Sequence, residues 1–172
     1  MLQLRGQSAH VHFVQASAEE MPFAANTFRI IYGKAILHHL DLDVSSREIG
    51  RLLKPGGRAT FAEPLAYHPL IWLGRCLTPG LRTQNEHPLA LSELEEFAGN
   101  YRSGEIETHF LISPFAYFIR VVPAWERAFQ KVHSLLVKLD QILFQRFPLT
   151  RKYAWYGVAH FRHQQSNEGH DP

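Results

Sequence analysis

Apolar and polar positions change their period several times along the chain, and each change marks an element. Residues 11–14, Val-His-Phe-Val, are short and β-branched, which predicts a strand. A loop of small and polar residues, 15–27, separates it from Phe-Arg-Ile-Ile-Tyr-Gly at 28–33. That continuous apolar run predicts a second strand, buried on both faces as in a parallel sheet. Between 41 and 57 the period becomes helical. Ile49, Leu52 and Leu53 form one stripe, and Ser45 and Glu48 have the spacing of a capping box. Lys54 suits the negative end of the helix dipole, and Pro55, Gly56 and Gly57 are expected to end the run. Residues 58–64, Arg-Ala-Thr-Phe-Ala-Glu-Pro, predict a third strand. Strand, helix and strand this close together make a βαβ unit, hence a parallel pair joined by a right-handed crossover.

Beyond Pro64 the pattern is loop-like over 67–88, with one or two helical turns expected at 70–77. Ser92 and Glu95 again have capping-box spacing and open a short helix ending near Gly99. Alternation over 104–112 predicts a strand. After Pro123, residues Trp125, Phe129, Val132, Leu136, Leu139 and Leu143 recur at steps of four and three, a one-sided stripe on a long helix that Pro148 stops. A last strand is expected at 154–163 and a disordered tail at 164–172. The stripe predicts a lid helix packed on the sheet. Its spacing also suits a dimer seam or an interfacial helix, so a partner chain, and peripheral membrane contact through 125–143, stay open.

One domain over 1–163, with 115–149 as its helical lid or insertion, accommodates these elements in a chain of 172 residues. An apolar share of 45% and a charged share of 20% are those of a globular protein. A net charge of +2 gives little reason to expect a nucleic-acid partner. Cys76 is the only cysteine, which excludes an internal disulfide and any zinc site of several thiolates, and it points to a reducing, cytoplasmic location. His10 and His12, and the run His38-His39-Leu40-Asp41-Leu42-Asp43, offer ligand types without zinc spacing, so no metal is expected.

Read together, "VHFVQASAEEMPFAANTFRIIYGKAILHHLDLD" and "REIGRLLKPGGRATFAEP", spanning about residues 11–64, resemble the class I S-adenosylmethionine (SAM) dependent methyltransferases. The similar branch carries Asp-Ala-Glu-x-Leu-Pro-Phe, then Ser-Phe-Asp, Leu-His-His-Leu and Leu-Lys-Pro-Gly-Gly, in that order. The resemblance implies an α/β, Rossmann-like sheet of seven strands that binds SAM at the carboxyl ends of its strands. It implies that Ser17 and Ala18 face the adenine, with Ser17 where the family has Asp, and that Gly33 and Lys34 lie beside the methionine portion. Arg29 stands where the family frequently has Asp, at a position that is usually structural. The family's glycine-rich turn and its ribose-binding carboxylate have no counterpart before Val11, so the expected sheet is incomplete, lacking the family's first two strands. Residues 28–33 would then form an exposed apolar edge. Three arrangements answer that: Val11–Val14 slides in beside the edge, a partner fills the gap, or a longer chain exists. With half of the cofactor contacts missing, SAM affinity is expected to be at least about tenfold weaker than usual for such enzymes, or nil.

His38 and His39 follow the second expected strand, where the transferred methyl group would lie. One of them serves as a base or touches substrate, or else one is buried and hydrogen-bonded and the other solvated. Glu63, at the end of the third strand, either orients a substrate or caps the loop beyond it; Glu19 and Glu20 are expected to be solvated. The implied activity is methyl transfer from SAM to a small-molecule acceptor, hydrophobic if the lid covers it. A different class of reading stays beside it: a catalytically inactive remnant, or a subunit whose sheet a partner chain completes.

Overall fold

Residues 11–78, 88–101 and 103–163 are described by a computed structural model. Strand β1 (Phe28–Lys34) leads through a 3-10 turn (Leu37–His39) to α1 (Leu42–Leu52) and β2 (Leu53–Pro64). Helices α2 (Pro69–Leu77) and α3 (Leu91–Gly99) precede β3 (Glu105–His109). A 3-10 helix (Ser113–Val121), α4 (Glu126–Arg146) and a further 3-10 segment (Pro148–Tyr153) then lead to β4 (Tyr156–Arg162). The sheet order is β1-β2-β4-β3; β1 and β2 are parallel, and β4 runs antiparallel to both of its neighbours. The expected α/β sheet and its βαβ unit are therefore present.

Several local expectations are corrected. Residues 11–14 form no strand: Val11 is 68% and Phe13 95% exposed, and neither pairs with a neighbouring chain segment. A strand is stable only with a ladder partner, and β-branched residues alone do not supply one. β1 is not buried on both faces either. It is an edge strand with Ile30 74% and Tyr32 65% exposed, as the resemblance had implied. α1 ends at Leu52, and Lys54 to Gly57 belong to β2 as an irregularity between the pairs Phe28–Leu53 and Ile30–Arg58. Gly56 there takes φ +72°, which glycine adopts without strain. Asp41 caps α1, accepting from Asp43 and Val44 N–H at 3.0 Å each, while Ser45 is buried and bonds back to the Asp41 carbonyl. At α3 the cap position is Ala90, and it is Glu93 whose carboxylate accepts from the Ala90 N–H. The segment 164–172 lies outside the described residues.

The period-2 pattern of β2 sorts its side chains. Ala59, Phe61 and Glu63 point into the core, with Ala159 and Phe161 of β4 on the same face. α1 and α3 cover that face. Phe61 stacks on Phe161 at 5.9 Å between ring centroids, Phe97 meets both edge-on, and Tyr101 stacks on Phe161 at 3.9 Å. The Tyr101 hydroxyl donates to the Ser46 carbonyl at 2.7 Å, and burial pushes it up to about 12. The opposite face carries Ile30, Tyr32, Arg58 and the pair Thr60–His160, joined at 3.0 Å.

Candidate functional site

The register places the carboxyl ends of β1 and β2 together with the start of β4: Lys34 lies opposite Ala62, and Pro64 opposite Tyr156. Open α/β sheets bind ligands at this end. Ala35, with φ +50°, turns the chain out of β1 and donates its N–H to the Ala62 carbonyl at 2.8 Å. The next two N–H groups, of Ile36 and Leu37, both donate to Glu63 Oε1, at 2.9 and 3.0 Å. Glu63 Oε2 meets His38 Nδ1 at 2.8 Å. Glu63 is fully buried and the His38 side chain is 12% exposed, so the carboxylate holds the ring at the surface of the site. An ionised carboxylate only accepts, so Nδ1 is the nitrogen that donates, and in the neutral ring Nε2 carries the lone pair. His39 is exposed and its ring lies 4.1 Å from that of His38.

The turn carrying Ser17 and Ala18 is tied to the same place. Glu19 Oε1 accepts from the Asp41 N–H at 2.8 Å, just beyond the His38–His39 turn. Further along, Glu48 Oε1 accepts from the Met21 N–H, and Arg51 donates to the carbonyls of Met21 and Phe23. The hydrogen bond from Arg51 holds the Glu48 carboxyl below its usual range. Glu19 is thus a structural acceptor rather than a solvated carboxylate. The Ser17 hydroxyl is exposed and accepts from the Glu19 N–H at 3.2 Å. Gly33 is there for packing: a Cβ would lie 2.4 Å from the Phe61 ring. Lys34 is exposed at the strand end.

Tyr156, opposite Pro64 at the end of β2, also borders a cavity of about 750 Å³, lined by Leu70, Leu73 and Leu77 of α2, Tyr117 and Phe118 of the 3-10 helix, and Trp155. Two buried polar groups that the periodicity did not single out hold α2 and the 111–113 turn, the segments next to the cavity. Asp140 of α4 accepts from the N–H groups of Leu111, Ile112 and Ser113 and from the Ser113 hydroxyl, at 2.6 to 3.2 Å. His68 caps α2, its Nδ1 accepting from the Leu70 N–H at 3.2 Å while Nε2 lies 3.0 Å from the Leu111 carbonyl. That is the neutral Nε2–H form. His68-Pro69 is the sequence signal for the cap, a polar residue before a proline at the first helical position.

Burial pushes the His68 imidazole below its ordinary value, against the Leu111 carbonyl and the Asp140 charge, which both favour the proton. The unfolded chain takes up this proton near pH 6.5, the folded chain only at lower pH. His68 therefore contributes stability that is complete above pH 6.5 and is lost as pH falls below it. Denaturant titrations at about pH 7.5 and about pH 5.5 should show a smaller loss on acidification in His68→Gln than in the unsubstituted chain. Equal losses would remove His68 from the account.

A family model described as a methyltransferase domain matches residues 1–61. Over 60 residues the chain is 45% identical to the ubiquinone/menaquinone biosynthesis C-methyltransferase of Idiomarina loihiensis, covering 34% of this chain and 24% of that protein. Over 63 residues it is 41% identical to the uncharacterized protein YafE of Escherichia coli, covering 34% and 30%. The chain thus spans about a quarter to a third of the length of these curated relatives. Over that third of its length the chain is similar in sequence to methyltransferase domains. The methyltransferase fold extends past the matched segment. A Thermotoga maritima SAM-dependent methyltransferase, possibly a histamine N-methyltransferase, aligns with a TM-score of 0.58 at 11% identity, over 90% of this chain and 65% of that one. A Haemonchus contortus phosphoethanolamine N-methyltransferase aligns at 0.53 and 18%, over 87% and 36%. At these identities the likeness is one of fold.

Proposed function

We propose that the chain takes part in SAM-dependent methyl transfer to an apolar small molecule held in the groove between α2 and the 3-10 helix Ser113–Val121. The observation that carries this is the apolar cavity at the carboxyl end of β2, at the same sheet end as an imidazole oriented by a buried carboxylate. SAM suits only some of the residues at this end. Ser17 has a second lone pair free for an adenine amino group, and Ala18 offers backbone in the same turn. Lys34 carries a charge suited to a carboxylate. Gly33 offers only its backbone, because Phe61 fills the space on its Cβ side.

Bound there, SAM would supply an electrophilic methyl group on a sulfonium. The chain's own residues would do the rest. The groove excludes water and aligns the acceptor, while His38 Nε2 takes a proton from an acceptor that must lose one. Glu63 selects the tautomer with the ring proton on Nδ1, which makes Nε2 the basic nitrogen of the neutral imidazole. His39, exposed beside His38, is a substrate contact in this reading. The name of the Idiomarina loihiensis relative concerns quinone biosynthesis, and a prenylated aromatic ring matches both the apolar groove and a proton acidic enough for an imidazole.

The test is incubation of the full chain with methyl-labelled SAM and a prenylated quinol precursor, followed by extraction into organic solvent. Label in the organic phase supports the proposal. Calorimetry on the same chain separates the steps: SAM binding without transfer would point to a different acceptor. Neither binding nor transfer would favour the second reading, a non-catalytic subunit completed by a partner. The free edge of β1, with Ile30 and Tyr32 exposed, is what recommends that reading.

A further inference from the structure

The side chains that line the groove also reach solvent as its rims, and the rims continue beyond it. Leu73 and Leu77 on one side are 45% and 72% exposed, Tyr117 and Phe118 on the other 54% and 63%, and Val121 and Trp125 continue the second rim at 79% and 56%. A contiguous apolar surface of this kind on a water-exposed face marks a contact site. Charge is distributed unevenly with respect to it. Residues 65–78 and 110–153, which carry both rims and α4, hold eight lysines and arginines against two carboxylates, Glu126 and Asp140, and Asp140 is buried. The whole chain is only +2, so the remainder is net acidic. A second copy seated on this surface would set one strongly positive face against another. An anionic lipid surface would not: it attracts the cations and takes up the apolar rim, with Trp and Tyr at headgroup depth.

We propose that these rims dock the chain on an anionic bilayer, with the mouth of the groove facing the lipid. The surface shares only Trp125 with the stripe at 125–143 expected from sequence, because α4 turns Phe129, Val132, Leu136 and Leu143 toward the protein and the rest of the contact falls to α2 and the 3-10 helix. It extends the apolar-acceptor reading, since an acceptor dissolved in the bilayer would enter without crossing water. It can fail independently of that reading.

The experiment is co-sedimentation of the full chain with vesicles of phosphatidylcholine, alone or mixed with phosphatidylglycerol. Binding is expected to be about tenfold or more stronger to the anionic vesicles, and to weaken in high salt. The pair Leu77→Ser with Phe118→Ser should lower it about tenfold, with circular dichroism and Tm unchanged. The pair Arg127→Glu with Lys131→Glu, on exposed positions of α4, should abolish the preference for the anionic lipid. No sedimentation, equal sedimentation with both lipids, or unaltered binding by both pairs would overturn the proposal. So would a dimer in light scattering that Leu77→Ser with Phe118→Ser dissociates, since the rims would then be covered by a second copy. None of these readouts involves SAM or methyl transfer, so their failure leaves the proposed activity standing.

Discussion

Asp140→Ala is expected to destabilise the chain by about 3–5 kcal/mol, the largest loss for any single side chain outside the aromatic core. The carboxylate is 2% exposed and receives three backbone N–H groups and one hydroxyl. Removing it leaves those four donors without an acceptor, each at roughly 1–3 kcal/mol when buried. Some of them will reach water by rearrangement, which keeps the total below the simple sum. The damage spreads, because the Leu111 carbonyl that pairs with His68 belongs to the turn that Asp140 holds. For a domain of this size the loss corresponds to a fall in Tm of about 10–15 °C. Asp140→Asn keeps one acceptor oxygen but turns an amide N–H₂ toward other donors, so it should fall between. Gln141→Ala, one position along on the exposed side of α4, should change Tm by no more than about 1 °C. Thermal unfolding of the three variants settles the order, and an Asp140→Ala chain as stable as the parent would mean that α4 does not hold the 111–113 turn.

Asp140 also marks the limit of what periodicity reveals. The steps of four and three over 125–143 find the helix and most of its inner face: Phe129, Val132, Leu136 and Leu143 all turn inward. Trp125 and Leu139 do not, being 56% and 38% exposed. The inward stripe is rotated and passes through the aspartate, because an apolar moment ranks a carboxylate as outward whatever donors it will meet. Those donors come from 111–113, far away in sequence. The strands show the same division. β1, β2, β3 and β4 were legible because alternation and breakers are local, whereas the edge position of β1 followed only from the resemblance. Residues 11–14 had strand composition and no partner, which propensity cannot see. At the site, the ambiguity over His38 and Glu63 was one of tertiary placement. Buried with two N–H groups and an imidazole on it, Glu63 caps the turn after β1 rather than the loop after β2, and orients His38 at the same time.

Those two duties fall on different oxygens of Glu63, which makes Glu63→Gln informative. The amide oxygen of glutamine can replace Oε1 and still accept from Ile36 and Leu37 N–H, so the turn should persist and stability change by about 1 kcal/mol or less. Its N–H₂ group would then stand where Oε2 was, and it can only donate to His38 Nδ1. The ring must answer by moving its proton to Nε2. In nitrogen NMR the His38 signals should exchange character between the two ring positions, an outcome that needs no activity at all. With Nε2 protonated the imidazole cannot accept a proton from an acceptor molecule, so kcat should fall by about 10²–10⁴ while KM for the acceptor and the affinity for SAM stay within a few-fold. His38→Ala should match that loss in kcat and should not add to it when combined with Glu63→Gln, since both remove one device. Glu63→Ala is the contrasting case: it strips the two N–H groups of their acceptor and should cost about 2–5 kcal/mol of stability besides. A Glu63→Gln chain that inverts the tautomer yet keeps its full kcat would show that His38 positions the turn and takes no proton.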